Sequence, residues 1–291
     1  MRERLISPAE LVALAAEETT AHRLWTGAEG WVERLGGDYL VSAADDGMRV
    51  VDQMETWLPQ LGLKADRIFV RRLVSQPGEE DKPVQILGGE GAAKTVVLER
   101  GLKFGIDFSA GYSVGLFCDQ RANRAHLESL APRRVLNCFA YTCAFSVAAA
   151  RAGAETLSLD MSRKSLFRGR DNLFLNSLSG RHEFIADDVF AVLPRLARRG
   201  EKFDAIILDP PTFSRGAKGR VFRAERDFPQ LVELALAVAG PGARVLLSTN
   251  ARDIDVPALK GFARGMKTHA VPQPAEYPPG AAAATLWLAA A

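Results

Sequence analysis

The chain has 291 residues, of which 47% are hydrophobic, and its 37 lysine and arginine side chains nearly balance 35 aspartate and glutamate side chains. This length and hydrophobic content are ample for one large core with a smaller appended unit, so we expect two domains. The balanced charge excludes a protein that attracts polyanions over its whole surface. Any contact with nucleic acid would require a local basic patch.

The three cysteines, Cys118, Cys138 and Cys143, form no CxxC pair and lie in apolar or tight-turn contexts. This pattern argues against a disulfide framework and against a zinc site, so we predict no metal and a reducing, cytoplasmic compartment. The first residues carry charge with no apolar segment behind them, and no stretch approaches the ~18 uninterrupted apolar residues of a membrane span. We therefore expect no contact with a membrane.

Residues 1–100 predict a small α+β domain. Ser7 and Pro8 are typical of a helix start, and apolar residues at helical spacing extend this helix towards Ala21. An Asp45-Asp46-Gly47 turn separates two apolar segments, which predicts a β-hairpin. The hairpin strands are predicted at 38–42 and 48–51, and further strands at 67–70 and 95–99, with a polar loop at 76–83.

From residue 131 to residue 291, short apolar segments alternate with helical stretches. Strands are predicted at 134–137, 156–160, 183–186, 205–209 and 244–248, helices at 145–152 and 165–176, and a last buried strand around Trp287. Such alternation predicts parallel strands covered by helices on both faces. The expected fold class is α/β, a doubly wound sheet joined to the smaller α+β domain.

Polar residues follow the ends of these predicted strands. The first strand ends at Asn137 before a turn that opens a helix, the second ends at Asp160, and Asp187 and Asp209 follow the third and fourth strands. Asp160 lies about 20 residues after the first strand, the spacing at which an acid binds ribose hydroxyls in dinucleotide folds. Each acid alone could instead cap a helix, but their shared register favours a nucleotide-like cofactor. The first turn lacks a glycine fingerprint, which disfavours a nicotinamide cofactor.

The segment Asp209-Pro210-Pro211-Thr212-Phe213 closes the strand at 205–208 with an acid, a rigid diproline and an aromatic ring. Open α/β sheets bind their ligands at this end of their strands. The prolines stiffen the turn, the carbonyl oxygens can accept from a base amino group, and an aromatic face can stack on a base. The alternative is a strand-to-loop corner with a buried phenylalanine.

Together these residues resemble the S-adenosylmethionine-dependent methyltransferases that act on large-subunit ribosomal RNA. Matching stretches, in chain order, are residues 115–121, residues 135–142, the Asp160 strand with Asn172 and Asn176 downstream, residues 186–190 and residues 208–213. Their order along the chain is much more specific than any one of them.

The resemblance implies a Rossmann-like methyltransferase domain at 131–291, reached through a β-hairpin connection at 101–130. It implies S-adenosylmethionine as cofactor, ribosomal RNA as partner and a role in ribosomal RNA processing. The implied cofactor-binding residues are Asp119, Gln120, Arg121, Asn137, Phe139, Tyr141, Thr142, Asp160, Met161, Ser162, Asp187, Asp188 and Asp209. The implied residues around the target base are Asp209, Pro210, Pro211, Phe213 and Asn250.

The family's branches differ in chemistry. Methylation of cytosine C5 needs a cysteine thiolate that adds to the ring, whereas guanine N7 has its own lone pair. The cytosine branch carries its cysteine just past the fifth strand, where this chain has Ser248-Thr249-Asn250, and that run is closer to the guanine-N7 branch. We therefore expect methylation of guanine N7 in 23S ribosomal RNA, with a cytosine-C5 enzyme as the alternative.

A basic segment follows Phe213, and we predict that it contacts RNA through Arg215, Lys218, Arg220 and Arg223, although a solvated charged loop is the alternative. Relatives usually carry glycine where this chain has Cys143, and a side chain there could crowd the cofactor. A catalytically silent RNA-binding protein with this fold is therefore a further alternative, and a small-molecule methyltransferase a weaker one. Residues 1–100 could bind RNA without a recognisable motif, and the sequence leaves monomer or homodimer open.

Overall fold

The computed structural model describes residues 3–73, 82–211, 213–215, 221–251, 253–263 and 265–290. The chain divides into two units. Unit 1 consists of Met1–Arg121 and Pro274–Ala281, and unit 2 of Ala122–Gln273 and Ala282–Ala291. Within the described residues, no helix is both long enough and apolar enough to cross a membrane.

Unit 1 is built on a mixed sheet with two helices. Its elements are β1 (Arg4–Leu5), α1 (Pro8–Ala16), β2 (Ala21–Thr26), β3 (Gly30–Leu35), β4 (Asp38–Ala43), α2 (Met48–Gln60), β5 (Arg67–Arg72), β6 (Val84–Gly88), β7 (Lys94–Glu99) and β8 (Leu102–Asp107). The first six strands pair in chain order, and β7 with β8 forms a separate hairpin. One turn of 3-10 helix at Cys118–Gln120 precedes α3 (Arg121–Ser129).

The amino-terminal helix begins where the sequence predicts, because Ser7 and Glu10 form a reciprocal capping box. The helix ends at Ala16, however, and the predicted extension to Ala21 is wrong because Ala21 begins β2. Most of the polar loop predicted at 76–83 lies outside the described residues.

The predicted β-hairpin around Gly47 is wrong. Residues from Met48 form helix α2 instead of a strand, and β4 pairs with β5 in parallel, so α2 is the crossover of a β-α-β unit. Asp45 and Asp46 accept backbone N–H bonds from Gly47 and Met48 at the helix start. The buried side chains of α2 are Val50, Val51, Met54 and Leu58, which recur at helical spacing. Within the short segment 48–51 this spacing cannot be told from that of a strand.

Unit 2 has the doubly wound α/β fold that the sequence predicts. After α3 come β9 (Arg134–Cys138), α4 (Ala144–Arg151), β10 (Glu155–Asp160), α5 (Arg163–Leu175), β11 (His182–Ala186), α6 (Val189–Arg198), β12 (Phe203–Leu208), β13 (Phe213–Arg215), β14 (Val221–Arg223), α7 (Ala224–Leu236), β15 (Ala239–Thr249), α8 (Val256–Phe262), β16 (Lys267–His269) and β17 (Ala284–Ala289). The main sheet has the order β11-β10-β9-β12-β15-β17-β16.

The five neighbouring strands β11, β10, β9, β12 and β15 run parallel. β17 pairs with β15 in antiparallel fashion, and β16 pairs with β17 at the edge of the sheet. Central residues such as Val135, Leu136, Ile206 and Ile207 are fully buried, as expected for strands covered on both faces. The predicted last strand is confirmed: Trp287 is buried in β17 and donates its indole N–H to Asn123.

Candidate active site

The carboxyl ends of the parallel strands in unit 2 meet at one edge of the sheet. Leu159 of β10 and Leu208 of β12 both lie beside Cys138 of β9, and Leu208 also lies beside Leu247 of β15. The chain moves from β9 to β10 and β11 on one side, and then to β12 and β15 on the other. Such a reversal of strand order opens a crevice at the carboxyl edge, where open α/β sheets bind ligands.

The turn after β9 has an unusual backbone. Phe139, Tyr141 and Cys143 have φ angles of 58°, 47° and 59°, a left-handed region that residues other than glycine seldom adopt. Ala140 donates its N–H to the Leu159 carbonyl at 2.9 Å, and Cys143 donates to the Ala140 carbonyl at 2.7 Å. Strained residues of this kind persist where their surroundings over-determine them, and they cluster at ligand sites.

Asp160 ties this turn to the end of β10. One carboxylate oxygen accepts the Tyr141 N–H and the other accepts the Ser162 N–H, both at 2.8 Å. Burial raises the pKa of Asp160, and the two backbone donors act in the opposite direction. Because a carboxylate offers about four acceptor positions, about two remain after these contacts. This residual capacity fits the two hydroxyl groups of a ribose.

A buried polar chain supports the turn from below. Asn137 donates from its side-chain amide to the Ser146 Oγ at 2.9 Å, and the Ser146 and Ser158 hydroxyl groups are 2.8 Å apart. All three side chains are almost completely buried. These two contacts together join β9, α4 and β10 beside the turn.

Helix α5 supports the same turn from the side. Asn172 donates to the Thr142 carbonyl at 3.0 Å. The Cys143 side chain is fully buried and occupies the space left by Gly169, where an added Cβ would lie 2.3 Å from the Cys143 Sγ. Burial raises the pKa of the Cys143 thiol to about 12. Cys143 is therefore packed against α5 as a small buried side chain whose thiol favours the protonated form.

The acids after β11 are both engaged. Asp187 accepts an N–H from Arg195 and the backbone N–H of Asp188, the latter at 2.8 Å. The hydrogen bond from Arg195 lowers the pKa of Asp187, with a further contribution from the Asp188 N–H. Asp188 caps α6 by accepting the Phe190 N–H at 2.9 Å. Asp187 and Asp188 thus lie at the strand-to-helix junction that the sequence predicts.

The other side of the edge is formed by the ends of β12 and β15. After β12, Asp209 is half-buried, Pro210 is buried and Pro211 is exposed, and β13 pairs with β14 in antiparallel fashion. After β15, the buried Thr249 accepts the Ala251 N–H at 3.1 Å, and Asn250 between them is exposed. Phe222 of the hairpin packs between Phe139 and Phe190, with ring centroids 5.9 Å from each.

A protein-family model described as S-adenosylmethionine-dependent methyltransferase matches residues 48–285 of this chain. The chain belongs to that family. The match spans most of the chain and includes every strand end at the carboxyl edge of unit 2. The predicted family, fold class and S-adenosylmethionine cofactor are thereby confirmed.

Curated relatives carry names that refer to ribosomal RNA. The chain is 32% identical over 260 residues to YwbD of Bacillus subtilis (strain 168), a candidate ribosomal RNA large subunit methyltransferase. The matched region covers 85% of this chain and 65% of YwbD. It is 39% identical over 187 residues to ribosomal RNA large subunit methyltransferase I of Serratia proteamaculans (strain 568), which covers 62% of this chain and 47% of that protein. The chain thus spans between about half and two thirds of these methyltransferases.

Solved structures of low sequence identity share the fold. SMU.776, described as a candidate methyltransferase complexed with SAH, superposes with a TM-score of 0.82 at 23% identity, covering 97% of this chain and 79% of that one. A complex of aTrm5 with tRNALeu superposes with a TM-score of 0.56 at 19% identity, covering 88% and 69%. At these identities the likeness concerns the methyltransferase fold alone.

The structure brings most of the predicted methyltransferase residues to one edge of unit 2. At this edge lie Asn137, Phe139, Tyr141, Thr142, Asp160, Met161, Ser162, Asp187, Asp188, Asp209, Pro210, Pro211 and Asn250. Met161 and Ser162 are exposed directly after Asp160. The roles of the individual residues remain predictions.

Three predicted cofactor residues, Asp119, Gln120 and Arg121, belong to unit 1. The buried Arg121 guanidinium forms an ion pair with Glu276 of the same unit, with Nη2 and Oε2 3.0 Å apart. Its guanidinium therefore already has a structural partner within unit 1.

Of the predicted RNA contacts, Arg223 is exposed in β14, and its backbone N–H donates to Asp227 at 2.8 Å. The side chains of Phe213 and Arg215, and the whole of Lys218 and Arg220, lie outside the described residues.

Three contacts at the edge were not found from the sequence. The Arg168 guanidinium lies over the Tyr141 ring at 5.9 Å, Arg195 pairs with Asp187, and Phe222 packs on Phe139. Asp187 precedes the N-cap of α6 and Arg195 lies eight residues later, which is not one of the three- and four-residue spacings that predict helical ion pairs. Nothing in the local sequence around Phe222 predicts its position, because the hairpin that carries it depends on pairing across residues 213–223.

Proposed function

We propose that this chain transfers a methyl group from S-adenosylmethionine to a base of large-subunit ribosomal RNA, and that the base is a guanine methylated at N7. The observation that carries the proposal is the carboxyl edge of unit 2, where the turn held by Asp160 and the diproline segment follow strands that both pair with β9. The names of the curated relatives support ribosomal RNA as the substrate. Such a substrate would place the protein in the bacterial cytoplasm.

The residues around Asp160 fit the cofactor. Asp160 would bind the ribose hydroxyl groups with its remaining acceptor positions, and Asp187 or Asp188 would lie near the adenine. Asn137 and Thr142 would act by holding the turn between them. When bound, S-adenosylmethionine supplies an electrophilic methyl group on its sulfonium.

Catalysis then rests on positioning, since guanine N7 has its own lone pair and the transfer requires only alignment at near-attack distance. Asp209 and the Pro210 carbonyl would accept hydrogen bonds from the exocyclic amine, and Phe213 would stack on the base. Asn250, exposed after β15, would hydrogen-bond the guanine edge. A base in a duplex would first have to be flipped out of its stack.

The cysteines favour guanine N7 over cytosine C5. Cytosine C5 methylation requires a thiolate, but all three cysteines are buried, and burial raises the pKa of the Cys138 and Cys143 thiols. The end of β15, where the cytosine branch carries its nucleophile, has Ser248, Thr249 and Asn250. A cytosine-C5 enzyme would therefore lack a thiolate at the required place.

The test is methyl transfer from labelled S-adenosylmethionine to unmodified bacterial 23S ribosomal RNA, followed by digestion to nucleosides and identification of the labelled product. Labelled 7-methylguanosine is the expected result. Labelled 5-methylcytidine would overturn the choice of base. Absence of label would overturn the enzymatic proposal, and titration with S-adenosylhomocysteine would then separate a silent RNA-binding protein from a chain that does not bind the cofactor.

A further inference from the structure

We infer that the outer face of helix α5 is a second RNA-contacting surface, which binds a short single-stranded segment next to the base that is methylated. This inference rests on the proposed RNA substrate. The surface, called the α5 face, consists of Arg163, Lys164, Phe167, Arg170 and Phe174. It lies outside the basic segment after Phe213 and outside the cofactor residues.

The α5 face is an exposed stripe along the helix. Arg163, Phe167, Arg170 and Phe174 recur at intervals of four, three and four residues, which places them on one side. The buried side of α5 carries Leu166, Gly169, Asn172 and Leu173. The exposed fraction is 62% for Phe167 and 85% for Phe174. Neither ring belongs to the buried core of unit 2, and two exposed aromatic rings on one stripe of a helix are typical of an interaction surface.

The chemistry of the α5 face matches single-stranded nucleic acid. Arg163, Lys164 and Arg170 are exposed, and within the described residues their side chains make no ion pair or hydrogen bond. Proteins that bind single strands combine such cations for the phosphates with aromatic rings on which bases stack. Phe167 and Phe174 are about 10 Å apart along the helix axis, close to three nucleotide steps of about 3.4 Å.

The charge argues against a second copy of this chain as the occupant. Arg163, Lys164, Arg168 and Arg170 place four cations on α5 against the single acid Asp171. Two identical faces brought together would juxtapose like charges, which is unfavourable at an interface. A single strand of RNA would place its phosphates on the cations and stack its bases on the rings.

The position of α5 links this surface to the methyl-transfer site. The helix begins at Arg163, directly after Asp160, Met161 and Ser162, and its buried side holds the cofactor turn through Asn172 and Gly169. RNA bound along α5 would therefore lie against the helix that shapes the cofactor site. The surface would orient the strand that carries the target base.

The experiment measures binding of a fluorescently labelled, unstructured RNA of about 12 nucleotides and of a 23S ribosomal RNA fragment, using the full chain saturated with S-adenosylhomocysteine. The double variant F167A/F174A should weaken binding of both RNAs at least about fivefold for each ring. The variant F167L/F174L separates stacking from apolar contact, because leucine keeps the hydrophobic area without the ring. It should weaken binding nearly as much as the alanine variant.

The cations are tested by salt dependence. The variant R163A/R170A should reduce the slope of log affinity against log salt by about 1.4, as expected for two single-strand phosphate contacts. The matched control R198A/R199A removes the same charge from the exposed end of helix α6 and should leave the slope unchanged. Unchanged affinity for S-adenosylhomocysteine in all variants shows that the fold is intact.

The outcomes separate this inference from the proposed function. If the unmodified chain binds neither RNA, the proposed RNA substrate fails and the α5 face fails with it. If the unmodified chain binds RNA and the α5 variants bind equally well, only the α5 face is overturned. Sedimentation of a dimer that F167A/F174A dissociates and F167L/F174L preserves would instead assign this surface to self-association and overturn the inference.

Discussion

Asp160 and Asp187 follow neighbouring parallel strands, yet their surroundings move their pKa values in opposite directions. Asp160 is held by two backbone N–H groups in a buried setting that raises its pKa. Asp187 faces solvent and pairs with Arg195, which lowers its pKa. The position of an acid at a strand end therefore predicts where the carboxylate lies, whereas its neighbours decide whether it is rigid and desolvated or paired with a cation.

The largest expected effect is that of Asp160→Asn. An amide can accept from only one of the two N–H groups and carries no charge, so both the turn and the ribose contacts weaken. We expect the affinity for S-adenosylhomocysteine, measured by calorimetry, to fall about 30- to 150-fold, or about 2–3 kcal/mol. The control Asp171→Asn makes the same charge change on exposed α5 and should leave affinity nearly unchanged. An unaffected Asp160→Asn variant would remove Asp160 from the cofactor site.

The packing of the turn after β9 against helix α5 is tested by Gly169→Ala. The new Cβ would lie 2.3 Å from the Cys143 Sγ and 3.2 Å from the Thr142 carbonyl carbon. Urea denaturation should show a loss of about 1–3 kcal/mol in the free energy of unfolding. Combining it with Cys143→Gly should restore most of this loss, since glycine empties the contested space and suits the positive φ angle.

The control for this packing is Gly261→Ala in helix α8, because an added Cβ there meets nothing within 4 Å. Alanine is the better helix former, so the control should be neutral or more stable by up to about 1 kcal/mol. Equal effects of Gly169→Ala and Gly261→Ala would refute tight packing between Cys143 and α5.

Arg195→Ala, which removes the partner of Asp187, should have a smaller effect on stability. Arg195 and Asp187 are both substantially exposed, and surface ion pairs contribute about 0–1 kcal/mol. The free energy of unfolding should therefore fall by less than about 1 kcal/mol. Arg198→Ala removes a charge from the same helix without touching Asp187 and serves as the control. A loss of unfolding free energy well above about 1 kcal/mol would mean that the pair of Arg195 and Asp187 is more than a surface ion pair.

The smallest effect is the pH dependence, and its sign differs between the two acids. Asp187, with a lowered pKa, contributes stability that is present above the ordinary value near about 3.9 and is lost as pH falls through the lowered value. Asp160, with a raised pKa, contributes stability that is present below the ordinary value and is lost as pH rises through the raised one. Unfolding free energies at a series of pH values, for the unmodified chain, Asp187→Asn and Asp160→Asn, should give difference slopes of opposite sign. Slopes of the same sign would contradict the opposite pKa shifts of Asp187 and Asp160.

The sequence alone determined the elements whose signal is local. Asp160 ends β10, and Asp187 and Asp209 directly follow β11 and β12. Each of these strands is a short apolar run, and parallel strands collect their carboxyl ends at one edge of a sheet. The capping box of Ser7 and Glu10 is likewise contained within four residues. The order of these motifs along the chain predicted the family, and the family model that matches residues 48–285 confirms it.

Tertiary structure decided what depends on residues distant in the chain. The segment from Met48 has apolar residues that suit a strand or a helix, and its position between the parallel strands β4 and β5 requires a helical crossover. Cys143 is 26 positions from Gly169, and only the packing of α5 on the turn shows that its side chain is directed into the helix surface. The opposite pKa shifts of Asp160 and Asp187 likewise arise from burial and from Arg195, which are properties of the folded surroundings and not of the acids themselves.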